Sequence, residues 1–129
     1  MDEINELLKR SEEKLQSSIS LLEKGHYGDA ISRAYYCMYY ASRALLLSRN
    51  IHPTTHKGVI NEMWKNFGKT GLMDKDLFKA LASSQTEREE ADYGIYTTFS
   101  EEETKKVIDD AQNFLKKCKE LLKNELEML

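Results

Sequence analysis

The chain has 129 residues, of which 40% are hydrophobic and 32% are charged, and its formal net charge is −3. This length and balance predict one soluble globular domain over residues 1–129 and exclude a disordered chain. A single proline, six glycines and few β-branched runs favour an all-α fold. The acidic sum excludes a generally basic surface, so any contact with nucleic acid must be local.

The N-terminal stretch MDEINELLKRSEEK is charged within its first three residues and lacks the apolar segment of a signal peptide. Other uncharged runs are too short to cross a bilayer, so we expect a cytoplasmic protein. Cys37 and Cys118 lack the paired spacing of a zinc site and are expected to be small hydrophobes. His52 and His56 are separated by Pro53, which removes a shared helical face, so we predict no metal and no cofactor.

The first predicted helix covers residues 2–24, where leucine and isoleucine recur at three- and four-residue spacing before Gly25. Residues 27–50 are predicted as a second helix that ends before Pro53, because proline disfavours helical geometry in the preceding residue. This second helix is apolar or aromatic nearly all round. We therefore expect it to be the central helix or to be covered by a second subunit.

A third helix is predicted at about residues 55–67, with Thr54 or Thr55 as its N-cap and Trp64 in its inward stripe. A fourth helix is predicted at about residues 74–91. Ser100 then lies three residues before Glu103, as in a capping box, and a last helix is predicted from about 101 to 128. Four or five helices in antiparallel succession predict a single bundle.

One face of the second helix carries Arg33, Tyr36, Tyr40 and Arg43, whereas Tyr35 and Tyr39 fall on its remaining side together with leucine. Guanidinium groups offer forked donors and phenols offer a flat ring with a hydroxyl, so this face can hold a phosphate or stack on a base. The alternative is structural: the arginines pair with carboxylates and the tyrosines fill a core or a dimer interface. Periodicity alone favours that alternative.

A second polar pattern is TEREEADYG, in which Arg88 and Asp92 are one helical turn apart and can form an ion pair. The pair leaves Tyr93 at the end of the helix beside Gly94. A fixed arginine with a neighbouring tyrosine can serve a phosphate. The alternative is a last turn tied down by a surface salt bridge.

A third candidate is His56, close to the predicted start of the third helix. Free backbone N–H groups at a helix start favour an anion and favour the neutral form of an imidazole. A neutral histidine near a phosphate can act as a general base. The alternative is a surface side chain in the capping region.

Three runs, AISRAYYCMYYASRALLLSRNI, THKGVINEMWKNF and REEADYG, resemble in order and spacing the HEPN superfamily, specifically its small single-domain prokaryotic branch. The resemblance covers about residues 5–120. It implies a bundle of four or five helices, usually a homodimer, that is often encoded beside a minimal nucleotidyltransferase as a toxin and antitoxin pair. Many HEPN proteins are metal-independent ribonucleases, whose Arg-x4-6-His motif meets its copy at the dimer interface.

This chain departs from that motif in one place. Arg88 corresponds to the family arginine, but Tyr93 stands where the histidine is expected. A phenol is a poor general base at neutral pH, which puts catalysis by the family mechanism in doubt. Binding of a ligand does not require that base.

The resemblance implies that two parts of the chain contribute to one polar cleft. The residues expected to line it are Arg33, Tyr36, Tyr40, His56, Arg88, Asp92 and Tyr93. We predict a dimeric nucleotide- or RNA-binding module that acts with a nucleotidyltransferase partner in a toxin–antitoxin system. One alternative is a metal-independent ribonuclease, in which Arg88 stabilises the transition state and His56 or Tyr93 replaces the absent histidine. The other is a purely structural helical dimer.

Overall fold

The computed structural model describes residues 2–127, and this part of the chain folds into helices without a strand. The helices are α1 (Asp2–Glu23), α2 (Tyr27–Leu47), α3 (His56–Met63), α4 (Lys75–Tyr93) and α5 (Glu101–Glu127). A π-helical segment, Trp64–Gly68, directly follows α3. The predicted all-α bundle of four to five helices is confirmed, and the homodimer stays a prediction.

Most predicted helix ends agree with the structure to within two residues, but α2 ends at Leu47 and not at residue 50. The chain leaves the helix through a turn in which Asn50 takes a φ of 60° and the Ile51 amide donates to the Leu46 carbonyl at 3.0 Å. Asparagine tolerates this left-handed conformation better than most residues, so it closes the helix before Pro53 is reached. Residue 128, the predicted end of the last helix, lies outside the described residues.

Both predicted N-caps are present. The Thr55 side chain accepts a hydrogen bond from the Gly58 amide at 2.9 Å, and the Ser100 hydroxyl accepts one from the Glu103 amide at 3.0 Å. Each bond satisfies a backbone donor that the helix itself leaves unpaired. Thr55 therefore fixes the start of α3, and with it the position of His56.

The helix α2 is the centre of the bundle, as its all-round apolar character predicted. It packs against α1, α3, α4 and α5. Its contact with α1 is close because buried serines face small residues: Ser11 donates to the Cys37 carbonyl and Ser18 to the Ala30 carbonyl, each at 2.6 Å. Burial of most of α2 fixes the position of this helix, and with it the faces on which its tyrosines lie.

The predicted inward stripe of the third helix is wrong at Trp64. Met63 and Phe67 are fully buried, but Trp64 is 39% exposed. The π-helical turn begins at Trp64, and the indole packs at the surface of the bundle against Gly68 of that turn and Phe78 of α4.

Cys37 and Cys118 are free thiols buried in the core. Burial raises the pKa of the Cys37 thiol to about 11, so it stays protonated at neutral pH. None of the helices in residues 2–127 combines the length and the apolar character that a membrane span requires.

Candidate functional site

Aromatic, imidazole and guanidinium groups from three helices meet on one side of α2. They are Tyr35, Tyr36 and Tyr39 of α2, His56 at the start of α3, and Arg88 of α4, and we refer to them as the Tyr–His–Arg cluster. The turn at Pro53 and the Thr55 cap bring the first residue of α3 back against α2. The cluster is thus assembled by the packing of the bundle and not by one contiguous motif.

Tyr35 is hydrogen-bonded to His56. Tyr35 is completely buried, and its hydroxyl oxygen lies 2.6 Å from Nδ1 of His56. Burial raises the pKa of the Tyr35 phenol above its ordinary value, while burial and then the nearby Arg88 charge lower the pKa of His56. The phenol therefore keeps its proton and donates to Nδ1, and the neutral imidazole carries its own proton on Nε2.

The tautomer limits what His56 can do chemically. Its lone pair, on Nδ1, is occupied by the Tyr35 hydroxyl, so Nε2–H is a donor and not a base. The ring is stacked on Tyr39, with 4.4 Å between centroids and 27° between planes, and meets Tyr36 edge-on at 5.9 Å. A fixed neutral donor suits the recognition of an anion better than the removal of a proton.

Arg88 is largely buried, with only 8% of its surface exposed. Its guanidinium carbon lies 5.4 Å from the Tyr35 ring centroid and 5.7 Å from that of Tyr36, within the range of cation–π attraction. Two long hydrogen bonds, to Asp92 Oδ2 and to Gln85 Oε1, are both 3.4 Å. Its Nε is buried and has no hydrogen-bond partner among the described residues 2–127.

Arg88 is thus held in place by ring faces more than by its acceptors. Hydrogen bonds of this length are weak, and a buried unpaired donor costs about 1–3 kcal/mol. The predicted ion pair with Asp92 is present, but Arg88 lies inside the bundle and not on its surface. Such an arrangement is expected where a guanidinium has donor capacity left for a ligand.

Two neighbouring hollows border the cluster. The larger, of about 560 Å³, is lined by Arg33, Tyr36, Tyr40 and Asp92, together with Lys14, Leu21, Asp29 and Ser32. The second, of about 440 Å³, is lined by Arg88, Glu89, Glu90, Tyr93 and Gly94. Arg88 lines the second hollow and contacts Tyr36 and Asp92, which line the larger one. The two hollows therefore adjoin at these residues.

Four of the seven residues predicted to line one cleft therefore line the larger hollow. Arg88 and Tyr93 line the second one, where Tyr93 is 76% exposed at the end of α4. His56 lines neither hollow. Its ring contacts the ring of Tyr36, which lines the larger hollow. Arg33 is exposed on the first hollow, and Arg88 is buried beside the second.

Sequence reasoning missed Tyr35 and Tyr39, which it assigned to the leucine side of α2. In the structure the four tyrosine rings at 35, 36, 39 and 40 lie within 5.2–6.3 Å of their neighbours. Their spacing carried the signal, because residues three and four apart on a helix are neighbours on its surface, as 35 and 39, 36 and 39, and 36 and 40 are. Arg43 extends that surface, with its guanidinium carbon 5.7 Å from the Tyr39 ring centroid.

In the part of the chain from residue 2 to residue 127, no three histidine, cysteine or carboxylate side chains are grouped as a metal ion would require.

The chain is similar to proteins of archaea along nearly its whole length. It is 34% identical over 120 residues to a Methanocaldococcus jannaschii protein named "Putative toxin MJ0142", covering 93% of this chain and 82% of that protein. A second protein of that organism, named "Putative toxin MJ0605", is 34% identical over 122 residues, 95% of this chain and 90% of that protein. A UPF0332 protein of Archaeoglobus fulgidus is 36% identical over 119 residues, 92% and 94% of the two chains.

The family model of the HEPN domain matches residues 4–121, a range that contains every residue of the cluster and of both hollows. This match confirms the resemblance that the helix-two tyrosines and the REEADYG segment indicated. The chain belongs to the HEPN domain family.

Proposed function

We propose that this chain is a cytoplasmic HEPN module that binds a nucleotide or an RNA segment through the Tyr–His–Arg cluster and the hollows beside it. The observation that carries the proposal is the Arg88 guanidinium, which lies over two phenol rings and has one buried donor without a partner in residues 2–127. A phosphate offers such a guanidinium the acceptors that it lacks in the free chain.

The larger hollow supplies groups for the rest of a nucleotide. Tyr36 and Tyr40 offer ring faces on which a base can stack, and Arg33 offers an exposed guanidinium for a second phosphate. Asp29 and Asp92 line the same hollow and accept hydrogen bonds, as a ribose hydroxyl or an exocyclic amine requires. The hollow thus offers groups suited to each part of a nucleotide.

The geometry favours binding over cleavage. A ribonuclease of this family type needs a base beside its arginine, but the His56 lone pair is engaged by Tyr35 and the family histidine position holds Tyr93. Arg88 alone can stabilise charge and cannot remove a proton, because a guanidinium stays protonated in proteins. We therefore propose a binding role for Arg88, His56 and Tyr93.

We also propose a toxin-like role for the chain, exercised with a nucleotidyltransferase partner. Two similar proteins carry the name of toxin, and the family is often paired with such an enzyme. The loop after α4 supports a protein partner, since Ile95 is 87% exposed and Tyr96 94% exposed. A second copy of the chain can occupy the same loop, and we propose the homodimer on this basis.

Calorimetric titration with ATP, GTP and a short single-stranded RNA tests the binding proposal. Arg88→Ala should weaken binding by more than tenfold. Arg88→Lys should weaken it less, because an ammonium group keeps the positive charge but lacks the paired N–H donors of a guanidinium. Arg10→Ala, an exposed arginine on α1 without an ion pair in residues 2–127, is the matched control. Absence of heat with all three ligands for the unmodified chain would refute the proposal.

Cleavage and partnership are tested separately. RNA incubated with the chain in EDTA should remain intact, and cutting that Arg88→Ala abolishes would replace binding by ribonuclease activity. Co-purification with the product of the adjacent gene should recover a nucleotidyltransferase. Recovery of no such protein would remove the toxin–antitoxin part of the proposal and leave ligand binding unaffected.

A further inference from the structure

A separate groove lies at the opposite end of α3 from His56. It is lined by Asn61 of α3, Trp64 of the π-helical segment, and Lys75, Phe78 and Lys79 of α4. Its volume is about 550 Å³, which is in the range of sites that hold small molecules. None of its residues belongs to the Tyr–His–Arg cluster or to the two hollows beside it.

The floor of the groove is aromatic and fixed. The rings of Trp64 and Phe78 lie 5.2 Å apart between centroids, inclined at 48°. The indole rests on Gly68, where an added Cβ would come 2.5 Å from ring atom Cε3, so only glycine permits this approach. The π-helical turn thus holds an exposed indole in one position, at the expense of a core contact.

The rim of the groove is basic in a chain whose formal net charge is −3. Lys75 and Lys79 line it, no carboxylate does, and neither lysine forms an ion pair within the described residues 2–127. The exposed Asn61 side chain adds an amide, which offers a donor and an acceptor together. That pairing matches the edge of a nucleobase.

We propose that this groove binds one nucleotide of a single-stranded nucleic acid. The base stacks on Trp64 and Phe78, its edge faces Asn61, and the adjoining phosphates lie near the two lysines. Stacking on aromatic side chains accepts every base, and ammonium groups act as point charges for phosphate. A run of carboxylates could pair with the two lysines. It would offer no ring to stack on Trp64 and Phe78 and no base edge to hydrogen-bond with the Asn61 amide. The proposal is independent of ligand binding at Arg88.

The test uses Trp64 itself, because it is the single tryptophan of the chain and its emission reports on this groove. Titration of the full chain with short oligoadenylate at low salt should quench the emission saturably. The double variant Lys75→Gln, Lys79→Gln should weaken binding by about tenfold, and the slope of log K against log salt should fall by about 0.7 for each phosphate that is no longer neutralised. Lys116→Gln, an exposed lysine on α5 without an ion pair in residues 2–127, should change neither quantity.

Three results would overturn the proposal: no change in emission with oligoadenylate, equal weakening by Lys116→Gln, or quenching by oligoglutamate at concentrations as low as those of oligoadenylate. The last result would identify an acidic protein segment as the occupant. Arg88→Ala should leave the quenching intact, which separates this groove from the cluster. Loss of quenching in Arg88→Ala would be a fourth contradicting result, because it would show that the groove is not independent of the cluster.

Discussion

Tyr35 and His56 form the pair on which the chemistry of the cluster depends. The phenol donates to Nδ1 at 2.6 Å and so places the proton of the neutral imidazole on Nε2. A hydrogen bond to the neutral form lowers the pKa of a histidine, in the same direction as burial and the nearby Arg88 charge. One hydroxyl therefore selects donation over base catalysis at this position.

Tyr35→Phe tests this dependence, because it removes the hydroxyl and keeps the ring. We expect the pKa of His56 to rise towards its ordinary value of 6.5 and the free energy of unfolding to fall by about 1 kcal/mol. NMR titration of the His56 ring protons measures the first quantity and urea denaturation the second. Tyr40→Phe, whose hydroxyl lies outside the pair, is the control, and an unchanged His56 pKa in Tyr35→Phe would show that the bond does not set the tautomer.

The free energy of unfolding should depend on pH through His56. The pKa of His56 is lowered in the folded state, so the unfolded chain binds the proton more tightly and stability rises with pH across this window. The contribution is fully present above the unfolded value of about 6.5 and is lost as pH falls through the folded value. Urea denaturation at pH 5 and pH 7.5 should show a smaller difference for His56→Gln than for the unmodified chain. Equal differences would exclude His56 as the source.

The π-helical segment after α3 is the element that separates the two candidate sites. It lets Met63 and Phe67 enter the core while Trp64 faces solvent over Gly68. The segment thus exchanges core packing for an aromatic surface.

Gly68→Ala measures how closely this element is packed. Its Cβ would lie 2.5 Å from Trp64 Cε3, so we expect a loss of about 1–3 kcal/mol in the free energy of unfolding and a shift in Trp64 emission. Gly28→Ala is the matched control: its Cβ would meet Ala91 Cβ at an ordinary 3.8 Å, which predicts no loss and a gain of about 0.4–1 kcal/mol. Equal effects at the two positions would show that the indole is not packed on Gly68.

The sequence alone was enough to predict the helices, and to predict those helix ends that are set by contacts between residues close in the chain. Thr55 and Ser100 act as predicted caps because their bonds are made within three residues. It was insufficient for Trp64, since the 3.6-residue period that placed the indole inward assumes a regular helix, and a π turn has no periodic signal.

The site was partly predictable for a similar reason. The Arg88–Asp92 pair follows from four-residue spacing on one helix. The Tyr35–His56 bond joins residues 21 positions apart and depends on how α3 crosses α2, which no local pattern encodes. Spacing along a helix therefore identified the residues of one face, and tertiary packing decided which of them meet.

At the scale of the whole molecule, the bundle leaves the apolar side chains of the loop after α4 uncovered. Ile95 and Tyr96 follow α4 and are almost fully exposed. This chain's HEPN membership and the exposed loop together support the proposal that the working unit is larger than one chain. The second hollow, with Tyr93 on its edge, lies beside the same loop.

Ile95→Asp tests whether this loop is an interface between two copies. Sedimentation velocity should show a dimer for the unmodified chain and a shift towards monomer for Ile95→Asp, because a buried unpaired carboxylate opposes association. Thr98→Asp puts the same charge on an exposed position of the same loop without removing apolar surface, and it should perturb the dimer less. A monomer at all concentrations for the unmodified chain would contradict the proposal.

The central claim is that a ligand phosphate binds at the Tyr–His–Arg cluster, with Arg88 as its donor and the neutral His56 ring close by. Nitrogen-15 NMR of the side chains during titration with single-stranded RNA tests it most directly, since it observes Arg88 Nε–H and His56 Nε2–H one by one. Our account predicts that both resonances shift saturably with one common affinity, while the His56 ring stays neutral. Shifts confined to the Trp64 indole, with the two donors unmoved, would contradict it.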